Sequence, residues 1–291
     1  MVLLRRAASF LELIKFEHTL FALPFAYMGM LLAADGWPSW HQFAWITVAM
    51  AAARTLAMSA NRLADVALDA RNPRTANRPL VVGTIAPSTV WMGASASAAG
   101  LALAAWQLSP LAFRLMPGAV VFLVGYPFAK RFTVLSHFIL GATDALAPLG
   151  AWAAIRNTLG GIESLPAWLL FVIVTFWIGG FDLIYACQDV EVDRREGLHA
   201  VPARYGVRAA LRLSAACHAL TTVLLVLLGG VARLGWVYFV GVAISAALLA
   251  YEHAIVRPDD LNRLDVAFFN VNGVISVVLF AATLAAVLMP G

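Results

Sequence analysis

Asn61-Arg-Leu-Ala-Asp65-Val-Ala-Leu-Asp69 and Asp182-Leu-Ile-Tyr185-Ala-Cys-Gln-Asp189-Val-Glu-Val-Asp193 are the two stretches from which the rest of the chain can be read. In each, polar residues recur at a spacing of three or four, and each closes a long apolar run. That spacing puts the side chains on one face of a helix, rising about a turn at a time. Two such helices facing each other would line a cleft with carboxylates at the edge of a membrane. Glu191 and Glu196 fall off the second face and read as solvated.

The surrounding composition requires the membrane. The mean hydropathy is +0.83, 62% of residues are hydrophobic and only 12% are charged, about half the charged share of an ordinary soluble domain. A soluble fold of 291 residues cannot bury that much apolar side chain. The net charge of +4 is no sign of nucleic-acid binding, because the basic residues gather at the edges of apolar runs. Cys187 and Cys217 lack the spacing of a disulfide framework or a zinc site. The first apolar run follows Arg5, Arg6 and Lys15 without a small-residue cleavage site, so it reads as a retained span rather than a signal peptide.

Nine apolar runs approach the ~20 residues that cross a bilayer. They cover 18–35, 42–63, 88–107, 110–129, 136–155, 166–188, 207–230, 235–256 and 268–288. The expectation is an all-α membrane protein of nine transmembrane helices, forming one domain over 1–291. The short link between the third and fourth runs, Gln107 to Pro110, requires an antiparallel hairpin. Residues 10–16 mix apolar and charged side chains at helical spacing and are expected to lie along the interface. Sixteen of the 20 Lys and Arg residues fall on one side of this arrangement. By the positive-inside bias that side is cytoplasmic, with an external C-terminus, and both ladders then sit at the cytoplasmic face.

The ladders predict chemistry. Mg²⁺ takes hard oxygen ligands, commonly one or two carboxylates, and completes its shell with water and phosphate oxygens. Asp65 and Asp69 suit that demand, with Asn61 as a neutral donor, and Asp189 and Asp193 repeat the pattern. Asp182 lies inside its span, where a carboxylate is costly enough to require a partner or a task. Arg54, seven residues before Asn61, is the partner expected for it. Asp144, inside the fifth run, is expected either to pair with a buried base or to touch the acceptor, and the sequence does not choose between them. His137, His218 and His253 stand apart in sequence and read as satisfied polar residues at helix ends or interfaces. Glu17 and His18 open the first span without metal-site spacing, and the Trp residues read mostly as interfacial anchors.

On these residues the chain resembles the UbiA superfamily of intramembrane prenyltransferases. The family's NxxxDxxxD motif matches Asn61, Asp65 and Asp69, and its second motif matches Tyr185, Asp189 and Asp193. Arg54, Asn72-Pro-Arg-Thr-Ala-Asn-Arg78-Pro, Tyr126-Pro-Phe-Ala-Lys130-Arg131 and Glu196-Gly-Leu-His-Ala-Val-Pro-Ala-Arg204-Tyr-Gly206 match the flanks, the last being the loop this family sets over its site.

The resemblance implies nine helices around a lipid-open cavity, with Mg²⁺ held by the two motifs, a polyprenyl diphosphate bound through the metal, and an aromatic acid beside it. The first expected acceptor is 4-hydroxybenzoate, in a bacterial inner membrane; a dihydroxynaphthoate is the second. Lys130, Arg71 and Arg78 supply fixed positive charge for the leaving group in this reading. Arg54 and Asp182 position the acceptor. Tyr126 and Tyr185 either face the allylic cation or anchor the interface, and Lys130 and Arg131 serve either the site or the topology. Two other classes use intramembrane acids. A cation-coupled transporter places them at mid-membrane on broken helices, whereas both ladders here sit at one face. A CDP-alcohol phosphotransferase gathers its acids in one segment, whereas this chain divides them between two.

Overall fold

The computed structural model describes residues 19–264 and 266–289, and among these every regular element is helical. Nine helices have 16 residues or more. They are α1 (Thr19–Ala34), α2 (Trp40–Asp69), α3 (Pro87–Leu108), α4 (Pro110–Ala129), α5 (Ser136–Arg156), α6 (Leu165–Tyr185), α9 (Val207–Val231), α10 (Trp236–Ile255) and α11 (Asn272–Leu288). Two short helices, α7 (Val190–Arg195) and α8 (Val201–Tyr205), lie between α6 and α9. The long helices follow the nine apolar runs within a few residues.

Seven helical runs among the described residues have the length and hydropathy of a membrane crossing, which makes this an integral membrane protein. The two long helices outside that set are α1, whose apolar run is short, and α3, which is rich in Ala, Ser and Gly. The expected interfacial segment at 10–16, together with Glu17, His18 and the C-terminal Gly291, lies outside the described residues.

Local chemistry sets the helix ends. Ser39 caps α2 through a reciprocal box with Gln42, satisfying backbone N–H groups that the first turn leaves free. The α3–α4 hairpin turns on Ser109 as expected. Its hydroxyl accepts from the amide of Ala112 and donates to the carbonyl of Ala153 at 2.9 Å, so one side chain caps α4 and ties the hairpin to α5. Pro110 opens α4 at a position where no N–H is needed.

The helices close into a ring: neighbours in sequence pack in turn, α6 packs on α9, and α11 returns to α1. Glycine permits the closest approaches. A Cβ on Gly141 of α5 would stand 2.2 Å from the carbonyl oxygen of Thr175 on α6, and one on Gly29 of α1 would stand 2.4 Å from that of Pro148. Phe25, Leu170, Trp177, Ile178, Tyr238 and Leu279 fill the centre of the packing. Trp177 is therefore a core residue rather than an interfacial anchor.

His218 and His253 are not isolated. The Nδ1 of His218 stands 2.9 Å from the Nε2 of His253, and Glu252 and Asn272 share the same buried cluster. Helical periodicity shows which face a residue takes, but not the opposing residue that a different helix brings to it.

Candidate active site

Both sequence motifs open into one cavity of about 240 Å³ at one end of the ring. Its wall contains Asn61, Asp65, Asp69, Tyr126, Lys130, Asp182, Tyr185, Asp189 and Asp193. It also contains Arg62, Asn72, Arg74, Arg78 and His137, which the sequence reading either left out of the site or, for Arg78, assigned only as a source of charge.

The first motif occupies the last turns of α2. Carboxylates there face the negative end of the helix dipole, an unfavourable place for a negative charge. The chain sets cations against them. Arg78 Nη1 donates to both carboxylate oxygens of Asp69, at 2.7 and 2.6 Å. Lys130 donates to Asp65. Arg131 donates to the other oxygen of Asp65 at 3.0 Å and to the carbonyl of Ala64 at 2.7 Å. Thr75 caps the end of the helix by donating to the Asp69 carbonyl at 3.0 Å. Arg62 is buried in the wall and donates to the Asn61 side chain at 3.3 Å.

The second motif departs from the single helical face expected of it. α6 ends at Tyr185, a 3-10 turn follows over Ala186–Asp189, and α7 begins at Val190. The tighter turn changes the angle at which Asp189 and Asp193 are presented, yet both still line the cavity. Asp189 accepts from Asn72 at 2.8 Å and from Arg74 through both of its oxygens. Arg74 also donates to the Tyr185 hydroxyl at 2.9 Å and lies over that ring. Burial works against the charge of Arg74, but the hydrogen bond and charge of Asp189 outweigh it, so its pKa is raised. Among the described residues Asp193 makes no salt bridge.

These bonds join distant parts of the chain. Asp69 and Arg78 are 9 residues apart, Asp65 and Lys130 are 65 apart, and Asn72 and Asp189 are 117 apart. The loop after Glu196 forms one side of the enclosure. Leu198 and Ala200 line the cavity, the Leu198 amide donates to the Asp193 carbonyl at 2.8 Å, and the His199 amide donates to the Lys130 carbonyl at 2.7 Å.

Three expectations change. Asp182 pairs with His137 of α5 at 2.7 Å, not with Arg54. Matching depths of Arg54 and Asp182 in the sequence carried no information on which neighbour α6 turns Asp182 toward, and that neighbour is α5. Arg54 lies instead in a second cavity of about 360 Å³ with Asp144, among apolar residues such as Met50, Leu101, Met116 and Leu123, and its Nε is buried without a hydrogen-bond partner among the described residues. Arg71 does not line the motif cavity. It is exposed and bonds Glu196 at 3.2 Å, so Glu196 closes an ion pair rather than facing solvent alone.

The donor set decides what can bind. No three His, Cys, Asp or Glu side chains among the described residues converge closely enough to hold a metal by themselves. There are instead two carboxylate pairs on opposite walls, with an amide beside the first. That suits Mg²⁺, which takes few protein ligands and draws the others from water and phosphate. The surrounding Lys and Arg residues fit a polyanion on the same side.

The site is thus an aspartate-, lysine- and arginine-lined cavity at one end of a helical membrane fold. The chain belongs to the UbiA prenyltransferase family, whose model matches residues 22–288. It is 32% identical over 292 residues to the 4-hydroxybenzoate octaprenyltransferase of Cupriavidus necator, covering 98% of this chain and 99% of that one. It is 30% identical over 275 residues to the enzyme of the same name from Marinobacter nauticus, covering 92% and 90%. Among solved structures, a UbiA homolog from Aeropyrum pernix superposes with a TM-score of 0.83 at 32% identity, covering 91% of this chain and 96% of that one. A UbiA homolog from Archaeoglobus fulgidus bound to DMAPP and Mg²⁺ superposes at 0.70 with 20% identity, covering 96% and 99%, and shares the fold.

Proposed function

We propose that the chain is a Mg²⁺-dependent aromatic prenyltransferase of quinone (ubiquinone) biosynthesis, moving a polyprenyl group from polyprenyl diphosphate to 4-hydroxybenzoate. The observation that carries this reading is the convergence of two aspartate motifs from α2 and α6–α7 on one cavity rimmed by Arg62, Arg74, Arg78 and Lys130. The names of the relatives from Cupriavidus necator and Marinobacter nauticus supply the acceptor. In this reading all nine long helices cross a bacterial inner membrane, and the motif cavity faces the cytoplasm, as the basic-residue bias directs.

Asp65, Asp69, Asp189 and Asp193 would hold Mg²⁺, with Asn61 as a neutral ligand. When bound, Mg²⁺ neutralises the charge that develops on the departing diphosphate. The chain's own cations do the same from fixed positions. Lys130, Arg74 and Arg78 present N–H groups at the cavity wall, so their positive charge is oriented before the allylic C–O bond breaks. Tyr126 and Tyr185 offer aromatic faces to the allylic cation, attracting it without reacting. Leu140, Leu198 and the apolar body of the tyrosines keep water from that cation until the ring attacks.

The second cavity suits the remaining parts of the substrates. Its apolar wall takes prenyl units, and a longer tail continues into the bilayer. Arg54 is its cation, with an unpartnered buried Nε suited to the carboxylate of an aromatic acid.

The test is direct. Purified protein in lipid, with Mg²⁺ and a polyprenyl diphosphate, is offered 4-hydroxybenzoate or a dihydroxynaphthoate, and products are identified by mass. Prenylated 4-hydroxybenzoate is the expected product. Transfer to the naphthoate alone refutes the acceptor, and transfer to neither refutes the reading.

A further inference from the structure

The geometry points to Asp182 as the base that removes the ring proton from the acceptor, with His137 as the residue that positions it. This rests on the prenyltransfer reading above and adds a step which that reading leaves without an agent. When the allylic C–O bond breaks, its electron pair leaves with the diphosphate. A π pair of the acceptor ring then forms the new C–C bond. The attacked carbon still carries its hydrogen, and aromaticity returns only when a base takes that proton and the C–H pair re-enters the ring. The base must face the ring and must not already be committed to a cation.

The carboxylates of the cavity divide on that criterion. Asp65 is bonded by Lys130 and Arg131, Asp69 by Arg78, and Asp189 by Arg74. The oxygens of these carboxylates are already engaged as hydrogen-bond acceptors from a cation. Among the described residues Asp182 has no Lys or Arg partner. Its Oδ2 meets His137 Nδ1 at 2.7 Å, and the backbone N–H of Val201 donates to His137 Nε2 at 3.2 Å. Because Nε2 accepts, it carries no proton, so the imidazole is neutral and its hydrogen is on Nδ1, donated to Asp182. His137 is buried, so its ring is held on both sides while Asp182 stays partly open to the cavity. A single orienting N–H fixes the carboxylate and leaves its charge available, the arrangement expected of a general base held by a third group.

Depth supports the assignment. Asp182 lies inside α6, three residues before its last residue Tyr185, whereas Asp189 closes the 3-10 turn beyond that end and Asp193 lies in α7. Its side-chain partner is His137 of α5, not one of the arginines that hold Asp69 and Asp189. With the diphosphate at the level of Asp189, the reacting carbon and the ring lie toward Asp182. Asp193 also makes no salt bridge among the described residues, but it is a metal ligand in the proposed function. The Val201 contact brings the loop after Glu196 into the arrangement, because moving that loop releases Nε2 and with it the tautomer that orients Asp182.

The experiment compares 4-hydroxybenzoate with its ring-deuterated form, using the full-length protein in lipid. In the natural chain proton loss follows C–C bond formation and is fast, so the two acceptors react at the same rate. Asp182→Asn keeps the shape and still accepts from His137, so the fold is retained. Its kcat is expected to fall about 10²- to 10⁴-fold, and a ring-deuterium isotope effect should emerge. Release of diphosphate without acceptor should persist in this variant, which shows that its leaving-group site is intact.

His137→Phe should reproduce a smaller form of both changes, and His137→Gln, whose amide can donate to Asp182, should restore most of the loss. An Asp182→Asn enzyme with natural kcat, or one slowed without any isotope effect, overturns the assignment. So does a change confined to the acceptor KM, which would make Asp182 a binding group. If the natural chain does not prenylate 4-hydroxybenzoate at all, the functional reading itself has failed.

Discussion

Lys130→Met separates catalysis from architecture at one residue. Lys130 donates to Asp65, but Arg131 holds the other oxygen of that carboxylate at 3.0 Å and also bonds the Ala64 carbonyl. Removing Lys130 therefore leaves Asp65 paired. The lysine side chain is 33% exposed, so the pair is screened and its contribution to stability belongs with surface ion pairs, about 1 kcal/mol or less. The variant should insert, purify and unfold nearly as the natural protein does.

Its catalysis should not survive as well. A fixed donor facing charge that develops in the transition state contributes about 10²- to 10³-fold in kcat, or roughly 3–4 kcal/mol. The assay is single-turnover transfer to 4-hydroxybenzoate in lipid, with product quantified by mass, alongside thermal unfolding of the same preparation. A loss in kcat of that size with unchanged acceptor KM is expected, and Lys130→Arg should recover part of it. If Lys130→Met retains natural kcat, or if activity is lost only in proportion to unfolded protein, the assignment of Lys130 to the leaving group is wrong.

Three more outcomes follow from the same geometry. Asp→Asn at Asp65, Asp69, Asp189 or Asp193 should remove most activity without preventing insertion, and a chelator should stop turnover until Mg²⁺ is restored; full activity in chelator would end the metal assignment. Arg54→Ala should raise the acceptor KM well above any change in diphosphate KM, and steady-state titration of each substrate checks this. If all nine long helices cross the membrane, as proposed, a topology reporter fused after Gly291 should be active only outside the cytoplasm; a cytoplasmic signal refutes that count.

The long helices and the two motifs were legible because both rest on periodicity within one element. Apolar runs set the helix positions, and four-residue spacing put Asp65 and Asp69 on one face. Partners across helices were not legible. Arg74 is legible in sequence only as part of the flank Asn72-Pro-Arg-Thr-Ala-Asn-Arg78-Pro, although it holds Asp189 115 residues away. His137 looked isolated because its partners, Asp182 and Val201, come from other elements. Arg54 was matched to Asp182 by depth, and depth leaves the direction around the helix axis undetermined. The 3-10 turn at Ala186–Asp189 carries no Gly or Pro that would announce it. One signal for Arg62 was available: it sits beside Asn61 at the end of an apolar helix, where an arginine requires a polar neighbour.

The spread of separations in the site's ion pairs also sets an order of assembly. A chain made and inserted from its N-terminus acquires short-range contacts first. Asp69 can find Arg78 as soon as the loop after α2 emerges. Asp65 has to wait for Lys130 and Arg131 at the end of α4, so for some 60 residues of synthesis it is a buried-side acid without its permanent neighbours. Asn72 and Arg74 are the last to be matched, when Asp189 arrives after α6. A nascent chain halted between α4 and α6 would thus carry a settled first motif, with the side-chain donors of Asn72 and Arg74 still without Asp189.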